Sequence, residues 1–245
     1  MTIDTPEFWI AFVQIIWIDL ILSGDNAVVI ALACRSLPPK HRKWGVILGA
    51  GAAVGLRIIF ALAVTLLLGL PYLKVAGGLL LFWIAVKLLT ENGEESHDNI
   101  EGSESLWKAV RTVAIADAVM SLDNVVAIAA ASRGHPELFI FGLLLSIPLI
   151  VAGAQIIMSL IARFPILVWA GAALLGWIAG EMIVSDTAVV QHLAARDPSL
   201  VAPATADHGP VPVNLLFYGA AVVGALIVIG AGLIKRRSQE AAEEV

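Results

Sequence analysis

Two short stretches of this sequence set acids among apolar residues. Asp19-Leu20-Ile21-Leu22-Ser23-Gly24-Asp25-Asn26 lies inside an apolar run, and Asp117-Ala118-Val119-Met120-Ser121-Leu122-Asp123-Asn124 repeats its D-x-x-x-S-x-D-N pattern 98 residues later. Together the copies offer four carboxylates, two carboxamides and two hydroxyls, with no Cys or His among them. Hard divalent ions such as Mn²⁺, Mg²⁺ and Ca²⁺ accept such an oxygen-only set, whereas Zn²⁺ and Cu⁺ recruit nitrogen or sulfur. Four ionised aspartates exceed the charge of one divalent ion, so the excess calls for a second ion, retained protons or a buried base. Arg57, central in the next apolar run, is the obvious base; Lys87 and Glu181 occupy matching places 94 residues apart. Protons and a metal competing for the same oxygens would supply the chemistry of an antiporter. A purely structural role is the weaker reading. An acid at the centre of a spanning helix costs about 2.5–3.5 kcal/mol, while interhelical polar contacts average only about 0.6 kcal/mol.

The elements that must hold these residues are membrane helices. The 245 residues are 59% hydrophobic and 14% charged, where soluble domains carry about 25% charge. With a mean hydropathy of +0.90, they read as an all-α polytopic membrane protein. Seven spans are predicted, near residues 8–33, 44–68, 72–89, 107–131, 138–161, 166–184 and 215–234. Trp9, Trp44 and Trp107 stand at span beginnings as interfacial anchors. Gly45, Gly49, Gly51 and Gly55 have the small-xxx-small spacing of close helix contact, for which packing alone is sufficient reason. No basic leader or cleavage pattern opens the chain, so the first run is expected to remain as a span. Arg35, Lys40, Arg42 and Lys43 follow that span while Asp4 and Glu7 precede it, which sets the N-terminus outside and the C-terminus, with Lys235-Arg236-Arg237, inside.

Two polar segments lie between spans. Residues 91–106 form an acidic cytoplasmic loop, read as a solvated linker, and residues 186–212 an Ala- and Pro-rich external loop expected to be irregular, with His192 and His208 at its surface. Cys34, the single cysteine, is expected as a packed residue at a helix end. The net charge of −5 leaves no basic face to neutralise phosphates, so a nucleic-acid partner is excluded.

The duplication extends beyond the motif. Arg35 answers Arg133 at the offset of 98, and Pro71, Ala76-Gly77 and Trp83 answer Pro165, Ala170-Gly171 and Trp177 at 94. Each repeat, 8–90 and 107–185, then holds three spans, so the second enters the bilayer from the opposite side. A 3+3 inverted repeat places the site of a transporter near the midplane. A seventh helix, 213–236, and a tail, 237–245, lie outside the symmetry, all within a single membrane domain. Helical spacing aligns Asp19, Ser23 and Asn26 on one face, and Asp117, Ser121 and Asn124 on another. Asp25 and Asp123 fall about 120° away unless the helix opens near Ser23-Gly24. Leu122 occupies the place of Gly24 in the second copy, so the copies need not be equivalent.

The duplicated motif, with Ala116 before Asp117 and Val125-Val126 after Asn124, resembles the TerC family of integral membrane proteins over roughly residues 8–181. The resemblance implies a manganese exporter related to the LysE superfamily in a bacterial inner membrane. It assigns Asp19, Asp25, Asn26, Asp117, Asp123 and Asn124 as ion ligands, with Ser23, Ser121 and Arg57 in support. It implies Mn²⁺ as the transported ion with Ca²⁺ and Mg²⁺ as alternatives, no cofactor, and a homodimer or the translocon as partners to consider beside the lipid bilayer. Two other readings stand beside it: an exporter of a cationic organic solute such as a basic amino acid, and a non-transporting membrane partner of the secretion machinery. No nucleophile and base pair or phosphate loop is visible, so an enzyme is not expected.

Overall fold

The structure is a computed structural model that describes residues 24–67, 70–90, 102–131, 136–203 and 210–243, together with 9–10, 12–13 and 15–16. Asp19, Ser23, most of the acidic segment and His208 lie outside the described residues. Eight α-helices are described: α1 (Gly24–Cys34), α2 (Pro39–Leu67), α3 (Leu73–Thr90), α4 (Gly102–Ala131), α5 (Pro136–Arg163), α6 (Ile166–Val184), α7 (Thr187–Arg196) and α8 (Asn214–Glu243). Five contain a stretch long and apolar enough to cross a bilayer: Pro39–Phe60, Leu73–Thr90, Gly142–Arg163, Ile166–Val184 and Asn214–Arg237. The shorter α1 is the described end of the first expected span, and the 30-residue α4 carries the second motif. Large apolar side chains face outward on these helices, with Trp44, Ile59, Ile156 and Leu226 all about 60% exposed, as lipid-facing surfaces require. Trp9 and Trp107 are likewise exposed at their span beginnings.

The helices group into two compact units, each drawing on both repeats. The first holds α1, α2, α4 and α5; the second holds α3, α6, α7 and α8.

In the first unit, α2 packs most extensively on α4, and α1 on α5. Successive contacts give their directions. Gly45 meets Leu106 and Gly49 meets Val113, so α2 and α4 run in parallel. Ile15 meets Gly142 and Ala27 meets Gly153, so α5 runs parallel to the first span. Gly45 also abuts Cys34 and Leu37, which folds α1 back on α2. Equivalent segments of the two copies, α1 and α4, therefore run in opposite senses in this unit. Of the four spaced glycines on α2, Gly45 and Gly49 face these contacts, whereas Gly51 and Gly55 face open space. Cys34 is buried at the end of α1. Pro148 lies inside α5, where the missing N–H leaves the Leu144 carbonyl without its helical donor.

In the second unit, α6 is the common wall. Gly176 and Gly180 press against the backbone of Gly224 and Ala220 on α8 so closely that a side chain has no room, and Gly78 on α3 sits against Ala179 and Ile183. Lys235 Nζ at the far end of α8 donates to Thr90 Oγ1 at 3.0 Å, tying it to the end of α3.

The segment after α6 differs from the irregular loop expected of its composition. It forms α7, a 3₁₀ turn over Pro198–Leu200, and a two-residue antiparallel pair between Val201–Ala202 and Val211–Pro212. Asp186 supplies the physical reason. Its buried carboxylate caps α7 by accepting from Ala188 N at 2.8 Å, and also accepts from Tyr72 N at 3.2 Å and Lys74 N at 3.1 Å at the start of α3. Tyr72 itself has φ of 61°, a left-handed conformation that a non-glycine residue holds only under such restraint. Further along, the Ser199 hydroxyl and backbone N–H both donate to Asp197 and hold its carboxyl below the usual carboxylate range. Asp186→Ala is expected to remove both caps and lower stability by about 2–3 kcal/mol. Asp186→Asn, which keeps one acceptor, should cost about half as much. Thermal unfolding in detergent, followed by tryptophan emission, measures both.

Candidate functional site

The first motif enters the described structure at Gly24, where α1 begins. Asp25 occupies the first helical turn, and its Oδ1 accepts the Asn26 backbone N–H at 2.8 Å. The Asn26 side chain is only 3% exposed, yet among the described residues neither its Oδ1 nor its Nδ2 has a hydrogen-bond partner. A buried polar atom left in this way costs about 1–3 kcal/mol. An orphaned carboxamide beside a carboxylate offers a ready oxygen ligand to a cation.

The second motif rides on α4, which runs as continuous α-helix through Leu122. Ser121 Oγ donates to Asp117 Oδ2 at 3.0 Å, the contact that i, i+4 spacing allows. From α2, Arg57 Nη2 reaches Asp117 Oδ1 at 2.7 Å, and its Nε donates to Ser121 Oγ at 3.0 Å. All three side chains are buried, Arg57 to 1% exposure, and the parallel packing of α2 on α4 sets their register. Asp25 is close enough to Asp117 and Arg57 to feel the charge of both, so residues from both copies share one electrostatic environment. Asp123 and Asn124 lie on the helical backbone of α4, and their side chains are outside the described set, as are Asp19 and Ser23 altogether. Among the described residues no three His, Cys, Asp or Glu side chains converge. The described core of the site is thus Asp25, Asn26, Arg57, Asp117 and Ser121.

Lys87 and Glu181 belong to the second unit. Lys87 Nζ sits 4.9 Å from the Trp83 ring centroid, whereas Glu181 Oε1 accepts from Trp177 Nε1 at 2.6 Å. Each is held by the tryptophan one turn earlier, with the sign of the charge reversed between the copies.

Two residues escaped the sequence reading. The offset of 98 continues through Gly55-Leu56-Arg57-Ile58-Ile59 and Gly153-Ala154-Gln155-Ile156-Ile157, so Gln155 answers Arg57. That stretch was the available signal. Asp186 was missed for another reason, since nothing local marks a loop acid as a double cap.

The profile of the integral membrane protein TerC family matches residues 4–240, nearly the whole chain. The chain is 46% identical over 180 residues to "Uncharacterized membrane protein YjbE" of Bacillus subtilis, covering 74% of this chain and 82% of that one. It is 30% identical over 185 residues to "Uncharacterized membrane protein YceF" of the same organism, covering 72% of each. "UPF0053 inner membrane protein YoaE" of Escherichia coli is 31% identical over 139 residues, 49% of this chain but only 27% of that larger protein. No solved structure matches.

Removing one partner of a buried ion pair strands the other. Arg57→Leu is therefore expected to destabilise the protein by about 3–5 kcal/mol, and the double change Arg57→Leu with Asp117→Leu to recover most of that loss. Denaturant unfolding of the single and double variants measures the coupling. Asn26→Leu should by contrast leave the ion-free protein equally or more stable, because an unpartnered carboxamide is lost; the same unfolding series checks its sign.

Proposed function

This chain belongs to the TerC family of integral membrane proteins, and from that premise we propose that it is a carrier exporting divalent metal ions, Mn²⁺ foremost, across the bacterial inner membrane. The relative YoaE is named an inner membrane protein, which supports the location. The carrier works by alternating access around a midplane site, in a seven-span frame of two inverted three-helix repeats and one added helix. The opposite senses of α1 and α4, and the sharing of each unit between the repeats, support that frame. In this reading the protein performs no covalent chemistry and is not an enzyme.

The observation that carries the proposal is Asn26. A membrane helix that buries a carboxamide without a partner, next to a carboxylate, bears a cost that ion binding would relieve. Oxygen atoms of Asp25 and Asn26 suit a hard cation, with Asp19, Asp123 and Asn124 as further ligands by the family pattern. Replacing protons on the carboxylates with the metal, and the reverse on release, couples metal export to proton entry. Arg57 offsets part of the acidic charge.

Titration of purified protein with Mn²⁺, against Ca²⁺ and Mg²⁺, in weakly buffered detergent tests this. Saturable Mn²⁺ binding accompanied by proton release is expected. Asp25→Asn and Asp123→Asn should each abolish the release, and Asn26→Ala should weaken binding by about 10–100-fold. An intact protein that binds none of the three ions would overturn the proposal.

A further inference from the structure

The two copies of the motif are not supported alike. Behind Asp117 and Ser121 stands Arg57, buried and bonded to both. At the constant offset of 98, Asp19 and Ser23 answer Asp117 and Ser121, and Gln155 answers Arg57. The flanking residues match closely: a glycine two positions before and two isoleucines directly after. The helix pairs match as well, because α5 with Gln155 lies along the first span as α2 with Arg57 lies along α4. The copies diverge at one chemical feature, a fixed cation in one and a neutral carboxamide in the other. Arg57 is 1% exposed, whereas Gln155 is exposed and so does not occupy the interior place that Arg57 holds.

A guanidinium stays charged in any protein environment, so Arg57 is a permanent positive occupant of its half-site. Asp117 already accepts a donor on each oxygen, Arg57 on Oδ1 and Ser121 on Oδ2. A divalent ion on either oxygen would sit beside the guanidinium and be repelled by it in a low-dielectric interior. At the first copy the situation is reversed, with the buried Asn26 carboxamide holding no partner among the described residues next to Asp25. Resting on the carrier reading above, we infer that Arg57 is a tethered cation replacing an ion in the second half-site. The protein then carries one divalent ion, held at the first copy through Asp25 and Asn26, rather than one per copy. Asp117 is a charge-balancing and positioning residue and not an ion ligand. One divalent ion and one guanidinium together balance three of the four aspartates.

Equilibrium binding of Mn²⁺ to the purified full chain tests this, with free Mn²⁺ counted by its electron paramagnetic resonance signal and folding checked by gel filtration. The intact protein is expected to saturate at one equivalent. Arg57→Gln makes the second half resemble the first and should admit a second equivalent. Because that variant strands Asp117 and can fail to fold, it is read beside Arg57→Gln with Asp117→Asn, which keeps hydrogen-bonding partners without net charge. The double variant should retain one equivalent with affinity within about threefold. Two equivalents in the intact protein, a folded Arg57→Gln that still takes one, or loss of the ion in the double variant would each overturn the inference while leaving the carrier reading intact. An intact protein that takes up no Mn²⁺ overturns both.

Discussion

The first unit is organised around a buried ion pair between Arg57 and Asp117, reinforced by Ser121. Two opposite charges in an apolar interior tolerate little displacement, since separation leaves each without compensation. The pair therefore fixes the register of α2 on α4 more tightly than apolar packing would. Small residues prepare the approach: Gly45 and Gly49 let α2 come close to Leu106 and Val113, which brings Arg57 level with Ser121 two turns later, within reach of Asp117 one turn before it. Stability and site geometry here depend on the same contact.

The division into units follows from the duplication. Neither repeat packs as a compact body of its own. The first two helices of each copy build the unit that carries the motifs, and the third helices, α3 and α6, build the other with α8. Within the motif unit, helices of one copy pack on helices of the other, so the chemistry of both copies meets in one environment. In the second unit the contacts are made by glycines, Gly176 and Gly180 against Gly224 and Ala220, and by the double cap at Asp186. Backbone pressed on backbone, without intervening side chains, is how membrane helices gain packing energy where no hydrophobic driving force separates protein from lipid.

The site combines one satisfied and one unsatisfied polar group, and the contrast gives it direction. Asp117 is held by donors on both oxygens, while Asn26 is buried with none among the described residues. Low dielectric strengthens the first arrangement and penalises the second. On the proposed reading, a site built in this way keeps its scaffold without an ion and gains a partner for Asn26 with one.

Much was legible in the sequence because the bilayer imposes it. Apolar runs of about 20 residues must be helices, since backbone groups in lipid have no other partners, and α2 to α6 lie close to the limits the runs suggest, while α8 begins where expected but continues through the polar tail to Glu243. The motif was legible because charged residues are rare in such runs, and the face shared by Asp117 and Ser121 followed from helical spacing alone. The sequence also singled out Arg57 as the base, by its charge at the centre of an apolar run. Only the tertiary structure decided which acid it meets, because Arg57 and Asp117 are 60 residues apart and their approach depends on two helices packing in parallel. The same holds for Asp186, whose neighbours in the chain reveal nothing of Tyr72 and Lys74. Local pattern and solvent determine which segments become helices; which side chains meet depends on contacts between helices, and those are properties of the packed whole.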